Sequence, residues 1–209
     1  MRRTIIATTG VLALLGIGLS VEHLIDGDHY NPGFDAYPLT TRSHVVFGGL
    51  FLALAMLQFS SRIRAKYSVF HRFSGRVAIS MGVISGAAAL IIGFVFPFSG
   101  TPEVIVTGPF AGLFGLALVR GMWLARHHRF AEHREWMIRS MALATSIATQ
   151  RLIFVPVLIA LGGTLEVAYW LSVTAFAIAF VLHCAVAEWW IRSTRQTNMD
   201  TTNASPLPN

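Results

Sequence analysis

Long apolar blocks, each closed by a charge or a turn residue, set the pattern of this chain. Six of them run over Thr4–Val21, Ser43–Ser61, Val77–Phe98, Val104–Ala125, Ser140–Gly163 and Val167–Trp190. A helix rising about 1.5 Å per residue crosses roughly 30 Å of hydrocarbon in about 20 residues. Each block therefore predicts a membrane-spanning helix, the first two being the shortest. Helices are the expected form because a spanning segment must pair its own backbone polar groups where no water reaches them. The predicted fold class is all-α: a polytopic membrane protein of six transmembrane helices, with one domain over residues 1–195. The tail over residues 196–209 is polar and holds two prolines; it reads as disordered and cytoplasmic.

The charges between the blocks give an orientation. Of the 16 basic residues, all but Arg42, Arg120 and Arg151 fall at one end of the predicted bundle. They precede the first span (Arg2, Arg3), separate the second from the third (Arg62, Arg64, Lys66, Arg72, Arg76), separate the fourth from the fifth (Arg126, Arg129, Arg134, Arg139) and follow the sixth (Arg192, Arg195). The positive-inside rule makes that end cytoplasmic, with both termini inside a bacterial inner membrane. Glu22, Asp26, Asp28, Asp35, Glu103 and Glu166 fall on the other side. Trp123, Trp136, Trp189 and Trp190 map to the inner interface and Trp170 to the outer one, as an aromatic belt would. The first block has the basic start of a signal peptide, but no small-x-small cleavage site follows it, so it is read as an uncleaved helix.

Composition narrows the function classes. Hydrophobic residues make up 54% of the 209, charged residues only 12%, and mean hydropathy is +0.60. A soluble domain carries about a quarter charged residues, so a soluble enzyme, a DNA-binding module and a disordered chain are excluded. Net charge +6 does not mark a nucleic-acid partner, because the basic residues flank apolar spans rather than forming a groove. The expected partners are the lipid bilayer and a membrane protein or a second copy of the chain. The lone cysteine, Cys184, rules out a disulfide framework and a thiolate metal site.

An internal repeat is suggested by Gly49-Leu-Phe-Leu-Ala-Leu-Ala and Gly112-Leu-Phe-Gly-Leu-Ala-Leu. His71-Arg72 follows the first and His133-Arg134 the second at nearly equal distance, and a second arginine (Arg76, Arg139) opens the next span. Spans two to five thus read as a four-helix core of two repeated helix pairs, about residues 43–98 and 104–163, running in the same direction. Gly82 and Gly86, and Gly108 and Gly112, have the i, i+4 spacing that lets membrane helices approach closely.

Chemistry-bearing residues are few. His71 and His133 would occupy equivalent positions, where two imidazoles can ligate a haem iron or another metal. They can equally anchor helix ends beside anionic headgroups. His44 opens the second span with Gln58 14 residues on and nearly on the same face, but glutamine is a poor iron ligand. A second haem would need His44 with His23 or His29. Arg151 lies mid-span, where a charge must face the bundle interior. It is a candidate contact for an anion, a haem propionate or a quinone, or a brace for the helix broken at Pro156. Arg120 can snorkel to the inner interface, His183 reads as a satisfied core histidine, and Glu188 with Arg192 as an i, i+4 pair. The loop carrying His23, Asp26, Asp28, His29 and Asp35 fits no metal-site spacing. Phosphate-binding, zincin and nucleophile-elbow motifs are absent from the sequence.

Several of these residues carry a resemblance. His44, Gly48, Gly49, Gln58-Phe59 and His71-Arg72-Phe-Ser-Gly75-Arg76 form its first half. His133-Arg134-Glu-Trp136-Met137-Ile-Arg139-Ser140, followed by Arg151, forms its second. Together they resemble the bacterial membrane proteins of domain of unknown function 2306, over roughly Ser43 to Leu161. That resemblance implies a membrane protein and no particular activity. The repeated helix pairs also bear some likeness to cytochrome b561-type haem bundles, from which Gln58 and the loop-proximal histidines depart. Three readings follow. The first is a non-enzymatic membrane factor or binding protein. The second is a redox protein linked to haem b or quinone through His71, His133 and His44. The third is a small transporter or channel with Arg151 as its charged site.

Overall fold

The structure, a computed structural model, describes residues 2–26 and 36–203. Among them the only regular elements are α-helices: α1 (Arg2–Asp26), α2 (Pro38–Gln58), α3 (Ser61–Lys66), α4 (Ser68–Val95), α5 (Thr101–Arg126), α6 (Phe130–Ala160) and α7 (Leu165–Asn203). Five of these, α2 and α4 to α7, are long and apolar enough to cross a membrane. The apolar part of α1 is shorter, Thr4–Leu19.

The chain punctuates these helices by familiar means. Proline in the first turn starts α2 and α5, where a missing N–H costs nothing. Glu103 accepts a hydrogen bond from the Ser99 N–H at 2.8 Å, a carboxylate at the N-terminus of α5. Gly162 and Gly163, both at positive φ, end α6. One feature departs from the apolar pattern. The helices α4 and α6 begin nine and ten residues before the apolar blocks they contain, so His71, Arg72, Arg76, His133, Arg134 and Arg139 are helical. Charge marks where a span leaves hydrocarbon, but arginine and glutamate are good helix formers and do not stop the helix. The basic stretch between the second and third spans is likewise short, folded into α3 with Ser60 Oγ accepting from the Ile63 N–H.

The helices pack as a ring. α2 lies on α4, α4 on α5, α5 on α6, and α1 closes the ring by packing on both α2 and α6. α7 covers the outside of α6 and α5. The expected core of spans two to five therefore includes α1 as a fifth member: Ala13 is buried with Phe51, Leu52, Ala55, Ala78, Leu118 and Met141, and Ile17 packs against them. Alanines at the contacts let these backbones approach, the usual means of helix association where burial from water supplies no drive. Large apolar side chains such as Leu39, Val69, Ile105, Ile159 and Trp170 face outward. On a soluble protein such a surface would be an aggregation hazard; on this one it is the lipid-facing surface. α7 continues to Asn203, beyond the boundary at residue 195 drawn from the sequence, and residues 204–209 of the expected tail lie outside the described residues.

Candidate functional site

At the basic end of the ring, the first turns of α4 and α6 carry His71 and His133. The two rings lie within electrostatic reach of each other, and Arg64 and Arg72 act on His71 as well. His133 Nδ1 is 2.8 Å from the Gly121 carbonyl of α5. A carbonyl only accepts, so Nδ1 carries a proton and donates it. His71 differs: its Nδ1 is buried and has no hydrogen-bond partner among the described residues. Arg64 donates from Nη1 to the Gln58 carbonyl at 3.1 Å, closing the end of α2.

The other candidates sit elsewhere. His44 Nδ1 is 3.1 Å from the Ser85 carbonyl, and Ser85 Oγ donates to the His44 carbonyl at 2.8 Å. Ser85 is 14 residues along α4 from His71, about 21 Å of helix, so His44 is remote from the pair. Gln58 donates from Nε2 to Ser74 Oγ at 2.8 Å and ties α2 to α4. Arg151 is 18 residues along α6 from His133, about 27 Å away and well inside the helix. There it lies within electrostatic reach of Glu103 on α5. No haem held at the histidine pair would bring a propionate to Arg151. His183 accepts from Thr149 Oγ1 at Nε2 (2.8 Å), and its Nδ1 lies 3.3 Å from Thr145 Oγ1, which itself donates to the Met141 carbonyl. Arg120 lies over Trp123 and Trp136, toward the basic end. The side chains of His23, Asp26, Asp28, His29 and Asp35 lie outside those described. Among the described residues no group of three or more histidine, cysteine or acidic side chains is placed to hold a metal.

Two ion pairs join α6 to α7 and escape a sequence reading. Arg139 is bidentate to Glu188, at 2.5 and 3.1 Å, with its guanidinium 4.8 Å from the Trp136 ring centre. Glu188 thus pairs across the bundle, with Arg192 a weaker, more distant charge. Glu135, only 8% exposed, holds Arg195 with both carboxylate oxygens. Glu135 stands two residues from His133, and nothing local in the sequence reveals its partner 60 residues on. A double-mutant cycle measures the Arg139–Glu188 pair. Arg139→Leu or Glu188→Leu alone should each cost about 1–3 kcal/mol by stranding a half-buried charge, and the double variant should recover much of that loss. Strict additivity of thermal stabilities in detergent would contradict the pairing.

A helical ring with an apolar exterior, charges gathered at its ends and no soluble domain among the described residues defines a polytopic membrane protein. The family described as predicted membrane protein, domain of unknown function 2306, matches residues 41–191, well over half of the chain, and the chain belongs to it. No curated protein and no solved structure matches it.

Proposed function

We propose that this chain is a non-enzymatic binding factor of the bacterial inner membrane, with both termini cytoplasmic, and that its ligand sits between His71 and His133. Two parallel helix pairs, about 43–98 and 104–163, form its centre, related by a pseudo-two-fold axis along the membrane normal. Setting Gly49 on Gly112 sets Phe51 on Phe114, and these two rings meet edge to face at 5.6 Å. The same alignment sets Gln58 on Gly121, and setting His71 on His133 sets Gly75 on Met137. In one pair Gln58 crowds Gly75; in the other Met137 crowds Gly121. Matched positions making a close approach in both halves is what a duplicated unit would do.

The observation that carries the binding site is His71 Nδ1, buried and without a hydrogen-bond partner among the described residues, with His133 within electrostatic reach. Their surroundings are positive, which disfavours a bare metal cation and favours a ligand with negative charge. Haem b meets both conditions, with two imidazoles for its iron and Arg64 and Arg72 for its propionates. Holding Nδ1–H on a carbonyl, as Gly121 does for His133, is how ligating histidines are commonly oriented. Bound haem would supply one-electron chemistry, the redox reading; the chain's residues would hold and orient it. Arg151, with Glu103 of α5 within electrostatic reach, is better explained as a brace between α5 and α6 than as a transport site.

The test is a reduced-minus-oxidised visible spectrum of protein purified in mild detergent after haem-replete expression. Soret and alpha bands are expected, lost in both His71→Ala and His133→Ala and retained in His44→Ala. A flat spectrum from a folded, helical wild type would remove haem from this protein.

A further inference from the structure

Charge is shared unequally between the two helix pairs. In the second, Arg129 meets Glu132 and Arg139 meets Glu188 of α7, while Glu135 holds Arg195 of α7. In the first, Arg62, Arg64, Lys66, Arg72 and Arg76 follow one another closely, and no acidic residue occurs anywhere from 36 to 102. None of the ion pairs among the described residues reaches them. Arg62 and Lys66, one helical turn apart, lie within about one Debye length, near 8 Å at physiological salt, so they repel and favour a negative partner.

The local shape suggests what does. Arg62 and Lys66 stand four apart on α3, so they share a face, and both are exposed. Where α3 turns into α4, an open groove of about 560 Å³ is lined by Lys66, Tyr67, Ser68, Val69, Phe70 and Phe73. Its apolar walls stand out from the bundle, Val69 being 70% and Phe73 67% exposed. The Lys66 ammonium lies 5.7 Å from the Tyr67 ring centre, at the lip. Cations at the lip of an apolar, lipid-facing groove match an anionic phospholipid, with its phosphate outside and an acyl chain along the wall.

We propose that the α3–α4 groove holds one anionic phospholipid of the surrounding bilayer, its phosphate on Lys66 and Arg62 and an acyl chain against Val69, Phe70 and Phe73. This proposal does not rest on haem binding. The experiment is thermal unfolding of the full chain in mild detergent, with phosphatidylglycerol, phosphatidylcholine or inorganic phosphate added. Phosphatidylglycerol should raise the midpoint by several degrees and the other two should not. Arg62→Gln with Lys66→Gln should reduce that shift to the phosphatidylcholine level, while Arg126→Gln in the second half should leave it intact. Equal shifts with both lipids, or a shift that survives the double variant, would overturn the proposal. A shift with inorganic phosphate alone would mark a free-anion site and overturn it too. Should the double variant not fold, native mass spectrometry of the wild type decides: a phosphatidylglycerol-mass adduct supports the site, and none contradicts it.

Discussion

Gly82→Val is expected to be among the most damaging single substitutions in this protein. A Cβ at residue 82 would meet Leu118 Cδ1 and Phe51 Cδ2, each at 2.9 Å. Neither neighbour has room to yield, since both are buried in the cluster where α1, α2, α4, α5 and α6 converge. Forcing extra methyl groups into such a centre typically costs about 1–3 kcal/mol, and more when backbone must move. Against a total stability of roughly 5–15 kcal/mol that is a large fraction. Gly112→Ala is the contrasting case. Nothing lies within 4 Å of its would-be Cβ, so alanine should be neutral or stabilise by up to about 1 kcal/mol through helix propensity. Thermal unfolding of both variants in detergent makes the comparison; equal stability would mean that residue 82 does not face the filled centre of the ring.

These two glycines also show how far the sequence could be read. Their i, i+4 spacing is the same as that of their partners Gly86 and Gly108, and spacing alone assigns all four to close packing. In the structure Gly82 admits Leu118 and Phe51, Gly86 and Gly108 make ordinary contact with Phe114 and Phe94, and Gly112 meets open space. Periodicity says that a helix has a small-residue stripe, not which neighbour, if any, faces it. The apolar blocks were legible for a different reason: hydrocarbon thickness sets a length that composition reveals directly. Helix ends were less so, because Arg72 and Arg139 lie outside the apolar blocks but inside the helices. The placing of His71 and His133 within electrostatic reach of each other is a tertiary fact that their separation in sequence does not reveal. Nor could the Arg139–Glu188 and Glu135–Arg195 pairs be read, since the register of α7 against α6 is a tertiary fact.

Gln150→Met should stabilise the protein, the opposite sign from most core substitutions. Gln150 is fully buried on α6, and neither Oε1 nor Nε2 has a hydrogen-bond partner. It stands ten residues inside the end of α6, about 15 Å from it, where water is scarce. A buried amide left unsatisfied costs about 1–3 kcal/mol, and methionine has a similar volume without the polar atoms. The expected gain is at the low end, about 1 kcal/mol, because an unfolded chain in the membrane also finds partners for its amides. His183, across the α6–α7 interface, provides the internal comparison. Both its ring nitrogens face threonine hydroxyls, so His183→Leu removes satisfied contacts and strands Thr149, and should destabilise. The pair of variants separates two kinds of buried polar group by sign in one thermal-unfolding experiment. If Gln150→Met instead lowers the midpoint as His183→Leu does, the Gln150 amide must be bonded to a buried water or a bound polar molecule.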